Sequence, residues 1–286
     1  MDYQERFERL SNLLRTEGLE ALAVLPGPNL FYLTGLSFHL MERPVVGLFS
    51  ADAPPRLILP EFEQPKAEAA AVALELFSYG EQEGASLSAF QAALSRMPAD
   101  GRAVAVEPLR ARFHELGLLQ AASPHTRFVT GASLLASLRM AKDSAELAAI
   151  RRAIEIAERA MDQTVPLVRL GMTEQELASE LTVQLLRAGS EPEIPFSPIV
   201  ATGPNSAHPH AVPGARRLGA GELLVLDWGA SASGYVSDLT RTYAVGEIDR
   251  ELAEVHRVVE QANAAGRAAV GPGVRCGEVD RAARAV

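Results

Sequence analysis

Glu222-Leu223-Leu224-Val225-Leu226-Asp227-Trp228-Gly229, joined through Ala230–Gly234 to Tyr235-Val236-Ser237-Asp238-Leu239-Thr240-Arg241-Thr242-Tyr243-Ala244-Val245, is the stretch from which the rest of the chain is best read. Two runs rich in β-branched and aromatic residues around a small-residue turn describe a β-hairpin. Each run carries one aspartate. Asp227 follows the apolar segment Leu223–Leu226, which a sheet would bury, and Asp238 lies on the returning strand. With the hairpin tip between Ala232 and Ser233, the two aspartates stand directly opposite each other, with Cβ atoms roughly 5 Å apart. Like charges so placed repel, and burial adds to the cost. Sharing one proton relieves the repulsion, and so does binding cations; carboxylates at this spacing suit two ions about 3.5–4 Å apart. A register off by one residue turns one aspartate to solvent instead. On spacing alone both readings stay open.

Upstream of the hairpin, Pro, Gly, Ser and His dominate 192–214, which reads as an extended loop with short strands. Gly203-Pro204-Asn205-Ser206-Ala207-His208-Pro209-His210 lies within it. An imidazole at His210 could donate a hydrogen bond to a substrate carbonyl or ligate a metal; a surface loop histidine is the alternative there, as at His208. Earlier still, Thr173-x-x-Glu176 is a capping box that opens a helix to about Ala188. Ser144 and the apolar positions after it predict a long amphipathic helix over 144–164.

Toward the amino terminus, Phe7, Leu10, Leu13, Leu14 and Leu19 give segment 4–19 the pattern of an amphipathic helix. Short apolar runs follow at Ala21–Leu25, Leu30–Leu33, Val45–Phe49 and Arg56–Leu59, punctuated by Gly27-Pro28 and Asp52–Pro55. Helical patterns near 62–72, 86–97 and 109–121 then alternate with strand-like 73–78 and 102–106. Such alternation predicts an α/β domain, placed at 1–131, with a second, α+β domain over 132–286. His39 on its own is unremarkable, and His114, His125 and His256 read as surface or packing residues.

Composition bounds the function. Of 286 residues 48% are hydrophobic and 22% charged, enough for a proper core. A formal net charge of -9 argues against nucleic acid as a partner. Cys276 is the single cysteine, so no internal disulfide forms, which fits a reducing compartment. Neither a secretory leader pattern in Met1–Arg15 nor an apolar run approaching the ~20 residues of a membrane span is present. A cytoplasmic protein without membrane contact is expected. No Gly-x-Ser-x-Gly turn or phosphate-cradling glycine motif occurs, and Cys276 stands isolated, so nucleophile chemistry has no support.

Leu226-Asp227-Trp228-Gly229 with Gly234–Thr242 closely resembles the metal-binding hairpin of the aminopeptidase P and prolidase family, the "pita-bread" metallopeptidases. Gly27-Pro28-Asn29-Leu30-Phe31-Tyr32-Leu33-Thr34-Gly35 resembles a signature of the creatinase-type amino-terminal domain. Lys142–Leu147 resembles the lead into the catalytic domain, and Gly203–His210 the loop that supplies a substrate-binding histidine. The resemblance implies hydrolysis of Xaa-Pro bonds in peptides with proline at the second position, by water activated between two divalent ions. Mn²⁺ suits oxygen ligands, with Co²⁺ or Zn²⁺ also plausible for the family. It implies Asp227 as a terminal metal ligand, Asp238 as a bridging ligand, Thr240 behind them, and His210 steadying the scissile carbonyl. A homodimer is expected through the first domain, with His39, on the loop Phe38–Arg43, reaching the partner's site.

The family also draws one histidine, two glutamates and its general base from a later part of the catalytic domain. None of these has a counterpart in this chain, so an incomplete pita-bread domain with weak or absent metal binding and poor catalysis is expected. Two other readings compete. A creatinase-like amidinohydrolase shares the fold without depending on the carboxylates, and the retained Asp227 and Asp238 argue against it. A non-catalytic pseudo-peptidase that binds peptides fits the missing ligands but not the intact pair.

Overall fold

The computed structural model describes residues 2–97 and 102–286. The chain forms two compact units, Met1–Ser144 and Ala145–Val286.

The first unit is an α/β sandwich. Helix α1 (Tyr3–Glu17) starts where the Asp2 side chain accepts a hydrogen bond from the Glu5 N–H and stops at Gly18, which takes the left-handed conformation at φ 64°. Strand β1 (Leu19–Val24) follows, then α2 (Pro28–Thr34), β2 (Val46–Ser50), β3 (Arg56–Pro60), α3 (Gln64–Ala67), β4 (Glu75–Tyr79), α4 (Ala85–Leu94), β5 (Ala103–Val106), α5 (Phe113–Ala122), β6 (Phe128–Thr130) and α6 (Ala132–Met140). The strands make one six-stranded sheet in the order β4-β3-β2-β1-β5-β6. The β1–β2 and β2–β3 pairings are antiparallel, and the rest are parallel. Both faces are covered. Leu22 and Val24 of β1 pack with Leu10 and Leu14 of α1, while the alternate Ala21 and Ala23 pack with Phe90 of α4 and Leu119 of α5. This explains why β1 reads as an unbroken apolar run rather than an alternating one.

Two sequence expectations are corrected here. Leu30–Leu33 is the middle of helix α2, because Pro28 sits in its first turn and Gly35 ends it at φ 75°. The helical pattern over 62–72 yields only a 3₁₀ turn at Glu61–Glu63 and the short α3, since Pro65 can occupy only the first turn. The first unit includes α6, whose Leu134, Leu135 and Leu138 belong to the core around α1.

The second unit consists of α7 (Ser144–Thr164), α8 (Glu174–Arg187), β7 (Ile199–Thr202), β8 (Glu222–Trp228), β9 (Ser231–Ala232), β10 (Tyr235–Val236), β11 (Leu239–Val245), α9 (Arg250–Ala269) and α10 (Cys276–Arg284). The capping box opens α8 as expected: Thr173 and Glu176 exchange hydrogen bonds of 2.8 and 3.1 Å. β7, β8 and β11 form an antiparallel three-stranded sheet in the order β11-β8-β7, so β11 is an edge strand. Leu224, Leu226 and Trp228 of β8 pack with Ile156, Ala157 and Met161 of α7 and Leu177, Leu181 and Leu185 of α8. The Trp228 indole N–H donates to the Ala157 carbonyl at 2.9 Å. Only one face of this sheet packs on these two helices. α9 and α10 meet where Gly266 lies against Ala283, and they leave Val255, Val258 and Val259 exposed. Among the described residues no helix is long and apolar enough to cross a membrane.

Candidate metal centre

Side chains alternate along β8, so Asp227 points away from the face carrying Leu226 and Trp228. It is half-buried, whereas Asp238 and Thr240 are exposed. Asp227 pairs with Thr240 across the β8–β11 ladder, not with Asp238 as the sequence suggested. The cause lies at the tip. Ser233 and Gly234 form a two-residue turn with φ of 52° and 74°, and positive φ at both central positions is the type I′ condition that matches strand twist. That tip sits one residue further along than expected, which shifts every pairing by two. A shift of two preserves the face. Asp238 therefore becomes a diagonal neighbour of Asp227 on the same side of the sheet, and the alternative in which one aspartate turns away is not realised.

The backbone around Gly229 fixes this arrangement. A Cβ there would lie 2.1 Å from the Ser237 carbonyl oxygen, so only glycine allows the two chains to approach. Ser237 N–H donates to the Ala230 carbonyl at 2.9 Å. Its hydroxyl accepts from the Ala230 N–H at 3.0 Å and donates to the Ala153 carbonyl at 3.1 Å, tying the segment just before Asp238 to α7.

The electrostatics match the geometry. Burial pushes the Asp227 carboxyl above its ordinary range; the Thr240 hydroxyl, donating to Asp227 Oδ1 at 3.1 Å, pulls the other way, and the adjacent Asp238 raises it further. A half-buried carboxylate raised by burial beside a second acidic side chain is chemically suited to a divalent cation, which would offset the repulsion. Among the described residues no group of three or more His, Cys, Asp or Glu side chains gathers as a metal site, so the pair fits a cation as a partial ligand set.

The other predicted residues lie apart. His210 is exposed in the turn after the 3₁₀ segment Gly203–Ala207, and it makes no hydrogen bond to the aspartate pair among the described residues. His39 is exposed on the loop between α2 and β2 of the first unit. Sequence reasoning missed Glu174. It looks like an ordinary first-turn acid beside the capping box, yet it is 1% exposed and bonded to the His210 loop. Nothing in the linear pattern distinguishes it from Glu176.

Residues 6–141 match the creatinase/prolidase N-terminal domain, and residues 148–286 match metallopeptidase family M24. A dipeptidase structure from Pyrococcus horikoshii OT3 is 31% identical, with a TM-score of 0.87 over 98% of this chain and 76% of that one. A prolidase structure from Thermococcus sibiricus is 26% identical, with a TM-score of 0.92 over 100% of this chain and 77% of that one. The Xaa-Pro dipeptidase of Lactobacillus delbrueckii subsp. lactis is 29% identical over 281 residues, covering 98% of this chain and 76% of the relative. With its aspartate hairpin and both domain matches in the expected order, the chain belongs to metallopeptidase family M24 and carries a creatinase/prolidase N-terminal domain.

Proposed function

We propose that this peptidase hydrolyses Xaa-Pro bonds, with Asp227 and Asp238 holding divalent metal. The observation that carries the reading is the placement of both carboxylates on one face of the β8–β11 hairpin, with Thr240 donating to Asp227. Asp227 and Asp238 would hold the metal, Asp227 as a terminal and Asp238 as a shared ligand, and the Thr240 hydroxyl orients Asp227. Bound metal, Mn²⁺ by the oxygen character of the donors, supplies Lewis acidity and a lowered water pKa. His210 steadies the scissile carbonyl by hydrogen bonding. Two carboxylates cannot complete the coordination of two ions, so the 286-residue chain on its own is a weak metal binder and a poor catalyst.

Xaa-Pro dipeptide hydrolysis with added Mn²⁺ tests the assignment. Asp238→Ala removes the residual rate altogether, while His210→Ala lowers it by about 10²–10³-fold, the cost of one transition-state donor. Equal residual rates in the two variants would contradict the roles, and efficient turnover by residues 1–286 would contradict the weak-catalyst reading.

The protein acts as a homodimer through its first unit, with His39 approaching the partner's site, in a reducing cytoplasm compatible with exposed Cys276. Support comes from exposed apolar side chains of the first unit. Leu109 and Phe113 are 95% and 92% exposed, and Arg112 between them donates to the Met41 carbonyl at 2.6 Å. Light scattering at micromolar concentration should give a dimer that Phe113→Asp dissociates; a monomeric wild type would refute the dimer.

A further inference from the structure

We infer that Glu174 is a positioning residue that sets the His210 loop by gathering hydrogen bonds from its start, its interior and its end; the inference rests on the role proposed for His210. An acid in the first turn of a helix ordinarily faces water and serves the helix dipole. Glu174 does not face water. It is 1% exposed, and the carboxylate is turned onto the loop between β7 and β8. Oε1 accepts from the Thr202 N–H at 2.9 Å and from Asn205 Nδ2 at 3.1 Å. Oε2 accepts from Asn205 Nδ2 at 2.9 Å and from the Gly214 N–H at 3.2 Å. A buried carboxylate is tolerated where donors replace its water, and here every such donor belongs to the segment that carries His208 and His210.

The hold passes inward through Asn205. Its carbonyl accepts from the His208 N–H at 3.1 Å, and the His208 carbonyl accepts from the Ala211 N–H at 3.2 Å, a turn that encloses His210. The backbone of Glu174 adds to the clamp, since its N–H donates to the Arg216 carbonyl at 2.9 Å. All the side-chain partners are N–H donors. Glutamine at 174 offers one acceptor oxygen and presents its NH₂ to donors, so Glu174→Gln breaks about half of the clamp at nearly constant volume.

Amide hydrogen exchange on the chain tests the hold directly. In Glu174→Gln, exchange across 203–214 should rise about tenfold or more, with a smaller rise in Asn205→Ala, while 222–245 stays as in wild type. Unchanged exchange across 203–214 would overturn the inference. A kinetic arm on the Mn²⁺-loaded protein separates positioning from general support. Glu174→Gln should lower kcat on an Xaa-Pro dipeptide about tenfold alone, yet by less than about twofold when added to His210→Ala, because both act through one group. A full tenfold loss persisting in the His210→Ala background would also overturn it. Wild-type kcat in His210→Ala alone would instead refute the role of His210, and the exchange result would still decide whether Glu174 holds the loop.

Discussion

The six-stranded and three-stranded sheets of this protein are treated in opposite ways. The six-stranded sheet of the first unit is covered on both faces, by α1 and α6 on one side and α4 and α5 on the other. The three-stranded sheet of the second unit packs one face on α7 and α8, and the other carries Asp227, Asp238 and Thr240. The first arrangement maximises burial. The second keeps acidic groups where ions and water can reach them, at the expense of apolar area left unburied. The proposed metal-holding residues lie on the sheet face that does not pack on α7 and α8.

That contrast can be broken most forcefully in the core. Leu226→Ala, on the packed face of β8, should destabilise by about 2–5 kcal/mol through lost burial and a cavity. Its half-buried neighbour Val225, on the other face, should lose under about 1 kcal/mol as Val225→Ala. Urea unfolding followed by circular dichroism checks both, and comparable losses would mean that the second face is packed after all.

A finer probe compares acids of the two units. Glu115 of α5 is fully buried; burial pushes its carboxyl up, but the Arg112 guanidinium, donating to it at 2.9 Å, and backbone N–H donors together hold it below the usual range. A depressed carboxyl stabilises the fold above its unfolded pKa, and that stability disappears as pH falls through the folded value. Glu115→Gln should therefore cost about 1.5–3 kcal/mol at neutral pH, with the gap to wild type closing in acid. Asp227 is shifted the other way, so its ionisation opposes folding in metal-free protein. Asp227→Asn should stabilise metal-free protein at neutral pH by on the order of 0.5 kcal/mol after solvent screening, and the gain should vanish as pH falls below the raised pKa. Thermal melts across pH with chelator present read both signs; a destabilised Asp227→Asn would contradict the strained pair.

Much of this was legible in the sequence, for identifiable reasons. Helix α7 and the capping box of α8 follow from local rules, and the structure honours them because apolar periodicity and capping act within a few residues. The aspartate pair was legible as a shared face and illegible as a register. Its exact pairing depends on Ser233 adopting positive φ beside Gly234, which a serine rarely advertises. The helix at Pro28–Thr34 was hidden because a four-residue apolar run looks alike in strand and helix. Glu174 could not be found at all, since its hydrogen-bond partners lie 28, 31 and 40 residues away.

Mn²⁺ binding measured by water proton relaxation, in wild type and in the double variant D227N/D238N, tests the central claim most directly. The account predicts that wild-type chain binds Mn²⁺ weakly, loses it on dialysis, and that the double variant no longer binds it. Undiminished binding by D227N/D238N, or two ions retained stoichiometrically by the wild-type chain after dialysis, would contradict it.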